Sequence, residues 1–480
     1  MLAALTGLCR STGTARLAAA TTVSGLVAAG VLSGAGTAVA DETPRTEGGA
    51  TATNNGLKTY GEAVIHGDGA DQRVPAGLFE MSVDGGGTLQ TYCVDLHNPT
   101  QRDARYQETS WRGTSLGTNK DAGRIGWILQ HSYPQVNDLA ALARKAGAPG
   151  LTEQDAAAGT QVAIWRYSDG ADVDALDPQA EKLADYLEKS ARGVGEPRAS
   201  LTLDPPAVSG RPGDRLGPVT VHTNASAVTV SPPADAATGG VRITDKNGKV
   251  ITSAKDGTRL YFDVPEDPAG EAGHTAGNGA GTAELTVQAS TTVPVGRAFA
   301  SESRSQTQIL AGSSESTVAA TATAGWAADG SIPAVSAREN CAKGGVDITA
   351  VNNGDEPFSF QLMGTGHTIP AGATRTVTVP LPEDQAYDFT ITGPHGFSHR
   401  FTGVLDCKTQ GAVTTQTAAQ LPNEPSPASV GGGSALDTTD LAETGVSALT
   451  PLITGVAIGL VVIGGAVLVV LRRKDTTPDA

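Results

Sequence analysis

Two short segments of the chain carry side chains that could react with one another. They are YCVD at 92–95 and TQVA at 160–163, which supply Cys93 and Gln161. A cysteine thiolate can attack the carboxamide carbon of a glutamine, expel ammonia and leave a thioester. Because an amide is a poor electrophile, this reaction needs both groups at near-attack distance and a hydrogen-bond donor for the developing oxyanion. Cys93 and Gln161 are therefore the candidate pair for an internal cross-link.

A strand and a helix are predicted to position this pair. Cys93 lies in a predicted strand at 88–96, which follows a turn of three glycines. Gln161 lies on a helix that begins with a T-x-x-D capping box at Thr152. The small and apolar residues around it place Gln161 within or at the edge of the buried stripe. A buried amide without partners costs about 1–3 kcal/mol, so this glutamine needs hydrogen bonds or a chemical role.

The N-terminus has the features of an export signal. Two arginines are the only charged residues in 1–40, and an Ala-rich apolar run covers 17–32. The AVA sequence at 38–40 is the small-x-small pattern after which a signal peptidase cuts, which predicts cleavage between Ala40 and Asp41. We therefore expect the protein to be secreted.

The C-terminus has the features of a second targeting signal. Residues 446–471 contain no charge and are long enough to span a bilayer, and a basic RRK sequence follows them. A pentapeptide stands just before this segment: Leu441, Ala442, Glu443, Thr444 and Gly445. The order of these parts resembles the cell-wall sorting signals of Gram-positive surface proteins, in the LAxTG variant of the LPxTG pattern. The resemblance implies that a sortase joins Thr444 to peptidoglycan after a transient stay at the membrane.

The cysteine count singles out Cys93. Of the four cysteines, Cys9 lies in the signal, and Cys341 and Cys407 bracket a strand-rich segment and are predicted to pair. Cys93 is then left over, and an unpaired cysteine in a secreted protein requires an explanation.

The pattern of strands, helices and polar segments predicts several modules. A polar lead at 41–56 is followed by a mixed α/β domain at 57–195 with three or four helices, including 121–131 and 137–146. Two β-sandwich modules follow, and a flexible linker precedes the sorting signal. Their bounds are 199–324 for an immunoglobulin-like module, 337–408 for a smaller disulfide-closed module, 409–440 for the wall-spanning linker and 441–480 for the sorting signal with its transmembrane helix.

The two reactive segments resemble those of the bacterial thioester domains found on Gram-positive adhesins. The resemblance rests on the aromatic-Cys sequence at 92–95 and the TQxA sequence at 160–163, in that order, within residues 57–195. It implies a bond between Sγ of Cys93 and the side-chain carbonyl of Gln161, and covalent capture of an amine such as a lysine on a host or surface ligand. Capture would consume the bond once, so the protein would not be an enzyme and would need no cofactor.

Several neighbours of the pair have two interpretations each. Tyr92 and Trp165 could shield the bond from water or could be ordinary core aromatics. Asp95 and His97 could handle protons, or could be a turn aspartate and a surface histidine.

Other functions remain open at this stage. Cys93 could be the nucleophile of a secreted hydrolase, with His66, His97 or His131 as base, but Gln161 is then unexplained. A metal site from Cys93, Asp95 and His97 lacks a further thiol to complete a common zinc set, so we expect no metal. A third interpretation is a structural wall protein that adheres non-covalently through its β modules, with Cys93 simply buried or linking two chains.

Composition restricts the class of partner. The formal net charge is −16 and the chain shows no basic patch, which argues against nucleic acid. The expected partners are therefore sortase, peptidoglycan and an amine-bearing ligand.

Overall fold

The computed structural model describes residues 48–67, 69–231, 240–266, 280–301 and 303–409, all within one compact unit. The predicted signal peptide, nearly all of the linker and the sorting signal with its membrane span lie outside these residues. Within the described ranges, no helix is both long and apolar enough to cross a membrane.

The N-terminal part of the chain combines an antiparallel sheet with four helices. Its strands are β1 (Thr51–Ile65), β2 (Gln72–Val83), β3 (Thr88–Cys93), β4 (Arg105–Thr109) and β5 (Val173–Ala175). Its helices are α1 (Ala122–His131), α2 (Leu139–Ala146), α3 (Glu153–Ser168) and α4 (Pro178–Ser190). Two short 3-10 turns, Trp111–Gly113 and Ser115–Gly117, connect β4 to α1. The helices pack on the sheet around one apolar core that contains Cys93 and Trp165.

Local sequence signals set the ends of the helices. The capping box of α3 is confirmed, because the Thr152 hydroxyl accepts from the N–H of Asp155 and the Asp155 carboxylate accepts from the N–H of Thr152. Asp177 caps α4 and Pro178 occupies its first turn, where the missing N–H has no intrahelical partner to lose. Eleven of the residues of α3 are buried, and Gln161 lies in the middle of them.

The chain then enters a module of two sheets. Its strands are β6 (Leu201–Asp204), β7 (Ala207–Gly210), β8 (Arg215–Thr223), β9 (Val228–Ser231), β10 (Arg242–Thr244), β11 (Ser253–Ala254), β12 (Arg259–Asp263), β13 (Gly281–Thr292) and β16 (Glu315–Trp326). Between β13 and β16 the chain forms β14 (Ala298–Ser301) and β15 (Gln308–Ser313). One sheet has the order β10-β12-β8-β6 and the other β11-β9-β13-β16-β7. Apolar side chains of both sheets share a core, as in a sandwich.

Strands β14 and β15 do not belong to this sandwich. They pair with each other and insert between β3 and β4, so that the first sheet runs β2-β3-β15-β14-β4-β1 and closes on itself through the β1–β2 pairing. The sequence-based division at 199–324 had placed this hairpin in the second module. The structure differs because alternation identifies a strand and its faces but not its pairing partner, and here the partners are some two hundred residues away.

The last described module is smaller. Its strands are β17 (Pro333–Asn340), β18 (Gly345–Asn352), β19 (Phe358–Leu362), β20 (Thr365–Ile369), β21 (Thr374–Pro380), β22 (Ala386–Thr392) and β23 (Ser398–Val404). They form a three-stranded sheet, β17-β18-β21, and two hairpins, β19-β20 and β22-β23, rather than the two sheets of a simple sandwich. The predicted disulfide between Cys341 and Cys407 is present and closes this module.

Candidate functional site

The structure brings Cys93 and Gln161 into direct contact. The backbone N–H of Cys93 donates to Oε1 of Gln161 at 3.0 Å, and Nε2 of Gln161 donates to the backbone carbonyl of Cys93 at 2.9 Å. Cys93 is the last residue of β3, and both residues have no exposed surface. The reciprocal bonds satisfy the polar atoms of the buried carboxamide and hold it beside the cysteine, so the pair is pre-positioned.

The cysteine sulfur has two polar neighbours. Oγ1 of Thr100 lies 3.4 Å from Sγ, and Nε2 of Gln308 donates to Sγ at 3.3 Å. The same Nε2 lies 3.2 Å from Oγ1 of Thr100, and the hydroxyl of Thr91 donates to Oε1 of Gln308 at 3.0 Å. Thr91, Thr100 and Gln308 are all buried.

Sequence reasoning did not identify these neighbours. Thr91 stands two residues before Cys93, so strand alternation would have placed both on one face of β3. Nothing local points to Gln308, which reaches the site only through the β3–β15 pairing.

Ionisation of the Cys93 thiol is strongly disfavoured. Burial raises the pKa of Cys93 to about 12, against the lowering effect of donors from Thr100 and Gln308, and the charges of Asp95 and Asp169 raise it further. A free thiolate is therefore costly in this site, whereas a neutral thioester is compatible with it.

Carboxyl groups surround the loop that follows Cys93. Oδ1 of Asp95 accepts from the N–H groups of His97 and Asn98, and Oδ1 of Asp169 accepts from the N–H of Leu96. Burial raises the pKa of Asp95 to about 7, with the charge of Asp169 as the second cause, and burial also raises the pKa of Asp169 to about 7. Within the described part of the chain, Oδ2 of Asp95 is buried without a hydrogen-bond partner.

The aromatic candidates lie in the core of the domain. Tyr92 donates its hydroxyl to the backbone carbonyl of Tyr133 at 2.9 Å. Trp165 follows Gln161 by one helical turn and is 1% exposed, in the same apolar cluster as Cys93. Shielding of the bond by these two residues stays a prediction.

Two of the histidines proposed for a hydrolase, His66 and His131, are engaged elsewhere. His66 lies between Asp71 and Asp174, and His131 stacks on Trp127. Burial lowers the pKa of His97, and its backbone N–H is held by Asp95.

The arrangement proposed for a metal is likewise not formed. In the ranges that the structure describes, the acidic and thiol groups whose ligand atoms converge are Glu383, Asp384 and Asp406, a set that excludes Cys93 and His97.

Comparison with known proteins agrees with the chemistry of the buried pair. Residues 90–192 match the thioester domain family. This match covers both Cys93 and Gln161 but ends before β14 and β15. A second family model, described as the C-terminal domain of bacterial phospholipase C, matches residues 333–404. Among curated proteins, none is significantly similar in sequence to this chain.

Solved structures of thioester proteins are among those that resemble this chain. The Bacillus anthracis TIE protein is 14% identical, covers 74% of this chain and 63% of its own length, and has a TM-score of 0.25. The thioester domain of the Enterococcus faecium TIE86 protein is 14% identical and covers 58% of this chain and 96% of its own, with a TM-score of 0.26. The E. coli chaperone DraB is 12% identical, covers 43% and 98%, and has a TM-score of 0.18. These scores are too low to support an argument from fold, so the match of residues 90–192 is the comparison that bears on the buried pair.

Proposed function

We propose that this protein is a wall-anchored adhesin that captures an amine-bearing ligand through a thioester between Cys93 and Gln161. The observation that carries the proposal is the reciprocal pair of hydrogen bonds between the Cys93 backbone and the Gln161 carboxamide, inside the segment that matches the thioester domain family.

This geometry supports formation of the bond. Sγ of Cys93 attacks Cδ of Gln161, and the oxygen that becomes negative is Oε1, which already accepts the backbone N–H of Cys93. A fixed donor aimed at a developing oxyanion lowers the barrier without reorganisation. The C–N bond then breaks, and the leaving nitrogen takes up the thiol proton. The net change converts the thiol and the carboxamide into a thioester and ammonia.

Capture is the same substitution with a different amine. A ligand amine attacks Cδ of Gln161, the C–S bond breaks, and the sulfur is released as the Cys93 thiol with a proton from the amine. The product is a stable amide between Gln161 and the ligand. Because the thioester is not regenerated, each chain acts once. Complete burial of both residues limits hydrolysis by water before a ligand arrives.

The two chain ends support the location. The signal at 1–40 would export the protein, and a sortase would join Thr444 to peptidoglycan and leave the thioester domain outside the cell. The two β modules that follow the thioester domain would present it beyond the wall.

The first test is the mass of the full chain with and without methylamine. A thioester makes the protein lighter by one ammonia than the same chain without the bond, and methylamine then adds one whole molecule. Cys93→Ala and Gln161→Ala should each abolish both effects and leave the disulfide between Cys341 and Cys407 intact.

Two results would redirect the proposal. A wild-type protein with the full sequence mass and an alkylatable Cys93 would leave non-covalent adhesion through the β modules. A Cys93 that turns over ester or amide substrates would instead favour the hydrolase.

A further inference from the structure

Gln308 stands directly opposite Cys93 in the closed sheet. The two residues are cross-strand partners in the β3–β15 pairing, although they are 215 positions apart in the chain. Directly opposed side chains on one face of an antiparallel pair lie close enough to interact. The Gln308 side chain uses this position to reach the sulfur, with Nε2 3.3 Å from Sγ.

The orientation of this carboxamide follows from the chemistry of its neighbours. A thioester sulfur carries no proton, so it can only accept, and the NH₂ group is the end of the amide that can face it. The opposite end, Oε1, accepts from the Thr91 hydroxyl at 3.0 Å. The Thr91 hydroxyl thereby fixes the oxygen of the Gln308 amide, and the NH₂ group of the same amide donates to the sulfur.

The two residues before Gln308 are hydrogen-bonded to the loop that begins at Cys93. The N–H of Val94 donates to the carbonyl of Thr307 at 3.3 Å, and Nε2 of Gln306 donates to the carbonyl of Asn98 at 2.7 Å. From the disulfide-closed module, Oδ2 of Asp406 accepts from the N–H and the hydroxyl of Thr307 at 3.1 and 2.7 Å. Gln308 therefore has little freedom to withdraw from the sulfur.

We propose that Gln308 is a third residue of the reaction centre, whose side-chain N–H binds Sγ of Cys93 and stabilises the negative charge on that sulfur whenever its bond to Gln161 forms or breaks. This inference rests on the proposed thioester. During formation, the donor favours the attacking thiolate. During capture, it favours expulsion of the same thiolate from the tetrahedral intermediate. By microscopic reversibility one hydrogen bond accelerates both directions, and no additional reactant is consumed.

The chain offers a closely matched control. Gln306 is also buried and also binds the loop, since Oε1 accepts from the N–H of Asp95 at 3.3 Å and Nε2 donates to Asn98. Within the described residues, the hydrogen bonds of its amide go to the loop and not to the sulfur. Gln308→Met and Gln306→Met therefore remove equivalent buried amides, of which only the first contacts the reacting atom.

The experiment measures thioester formation by intact mass and capture rates of the thioester fraction in the full chain. Gln308→Met should slow capture about ten- to a hundredfold, the scale of a hydrogen bond to a charged atom, whereas Gln306→Met loosens the loop but keeps the donor to the sulfur and should slow capture less. Ethylamine and trifluoroethylamine are similar in size but differ in basicity. Without its hydrogen bond the sulfur is a poorer leaving group, and breakdown of the tetrahedral intermediate becomes rate-limiting. Gln308→Met should therefore lower the capture rate of trifluoroethylamine, the weaker base, more than that of ethylamine. A loss of packing would slow both amines equally.

Each alternative has a distinct signature. A folded Gln308→Met that captures both amines at wild-type rates overturns the inference. If that variant does not fold, Thr91→Val, which removes the hydroxyl that orients the amide, decides instead, and an unchanged capture rate again overturns it. A thioester that survives in Gln161→Ala but disappears in Gln308→Met would make Gln308 the electrophile. Absence of the thioester in the wild type would reject the proposed function itself.

Discussion

The side-chain nitrogen of Gln308 lies 3.3 Å from the sulfur of Cys93, although the two residues are 215 positions apart in the chain. The intervening chain contains the four helices and most of the two-sheet module. The candidate site is therefore complete only when the chain returns from that module and inserts β14 and β15 into the first sheet. Reactivity at Cys93 should depend on regions outside the segment that matches the thioester domain family.

Truncation tests this dependence. A chain of residues 48–195 lacks β14 and β15, which leaves β3 and β4 without the neighbours that separate them in the closed sheet. Bare strand edges favour misfolding and association. We expect this fragment to aggregate or to lack the thioester, while a chain of residues 48–409 forms it. Size-exclusion chromatography and intact mass measure both properties. A monomeric 48–195 fragment that reacts with methylamine would contradict the expectation.

A buried ion pair should stabilise the junction between the first sheet and the two-sheet module. Nε of Arg297 lies 2.9 Å from Oε1 of Glu108, and these residues are 5% and 1% exposed. Arg297→Met would leave the Glu108 charge buried without its partner, so we expect a loss of about 3–5 kcal/mol in the free energy of unfolding. Urea denaturation measures this loss.

The matched control for the ion pair lies on the surface. Arg242 is 2.8 Å from Asp263, and its side chain is 64% exposed. Arg242→Met should cost less than about 1 kcal/mol, because an exposed pair gains little in water. Equal losses in the free energy of unfolding would show that the buried Arg297 pair stabilises the protein no more than the surface pair does.

The carboxyl of Asp95 should make stability depend on pH. Its pKa is raised to about 7 by burial and by the charge of Asp169, so the folded protein holds this proton more tightly than the unfolded chain does. The contribution is fully present below the unfolded pKa and is lost as pH rises through about 7. Asp95→Asn keeps the Oδ1 acceptor and cannot ionise.

Denaturation of the wild type and Asp95→Asn at pH values between about 3 and 8, from below the unfolded pKa of Asp to above the folded one, would test this sign. The variant should be more stable than the wild type at the alkaline end and nearly equal at the acid end. Asp185→Asn serves as a control of opposite direction, since the hydrogen bond from Lys189 lowers the pKa of that carboxyl. A wild type whose stability rises with pH relative to Asp95→Asn would refute the assignment.

Loss of the disulfide should affect both stability and the reaction. Cys341 and Cys407 are 66 residues apart, for which the chain-entropy model gives about 4 kcal/mol. Asp406 precedes Cys407 and binds Thr307, the neighbour of Gln308. We expect the double variant Cys341→Ala, Cys407→Ala to unfold at lower urea and to capture methylamine more slowly. Unchanged capture in a folded double variant would show that Asp406 holds Thr307 without the disulfide.

The sequence predicted well what short-range chemistry controls. The capping box at Thr152 fixes where α3 begins, because adjacent side chains satisfy the free N–H groups of the first turn. The odd cysteine count led to the disulfide between Cys341 and Cys407, which is present. It also led to Cys93, whose backbone is bonded to the Gln161 side chain in the structure, while the covalent link between them stays a prediction.

Only the tertiary structure decided which strands surround the cysteine and which donors face its sulfur. Residues 308–313 fell within the predicted bounds of the second module, 199–324, since the sequence pattern along a chain does not record the partners of a strand. Their insertion beside β3 is a long-range pairing that satisfies the edges of β3 and β4 and closes the first sheet. That pairing brings Gln308 to Sγ of Cys93, and a contact across 215 residues has no local sequence signal because it depends on the fold of all the chain between.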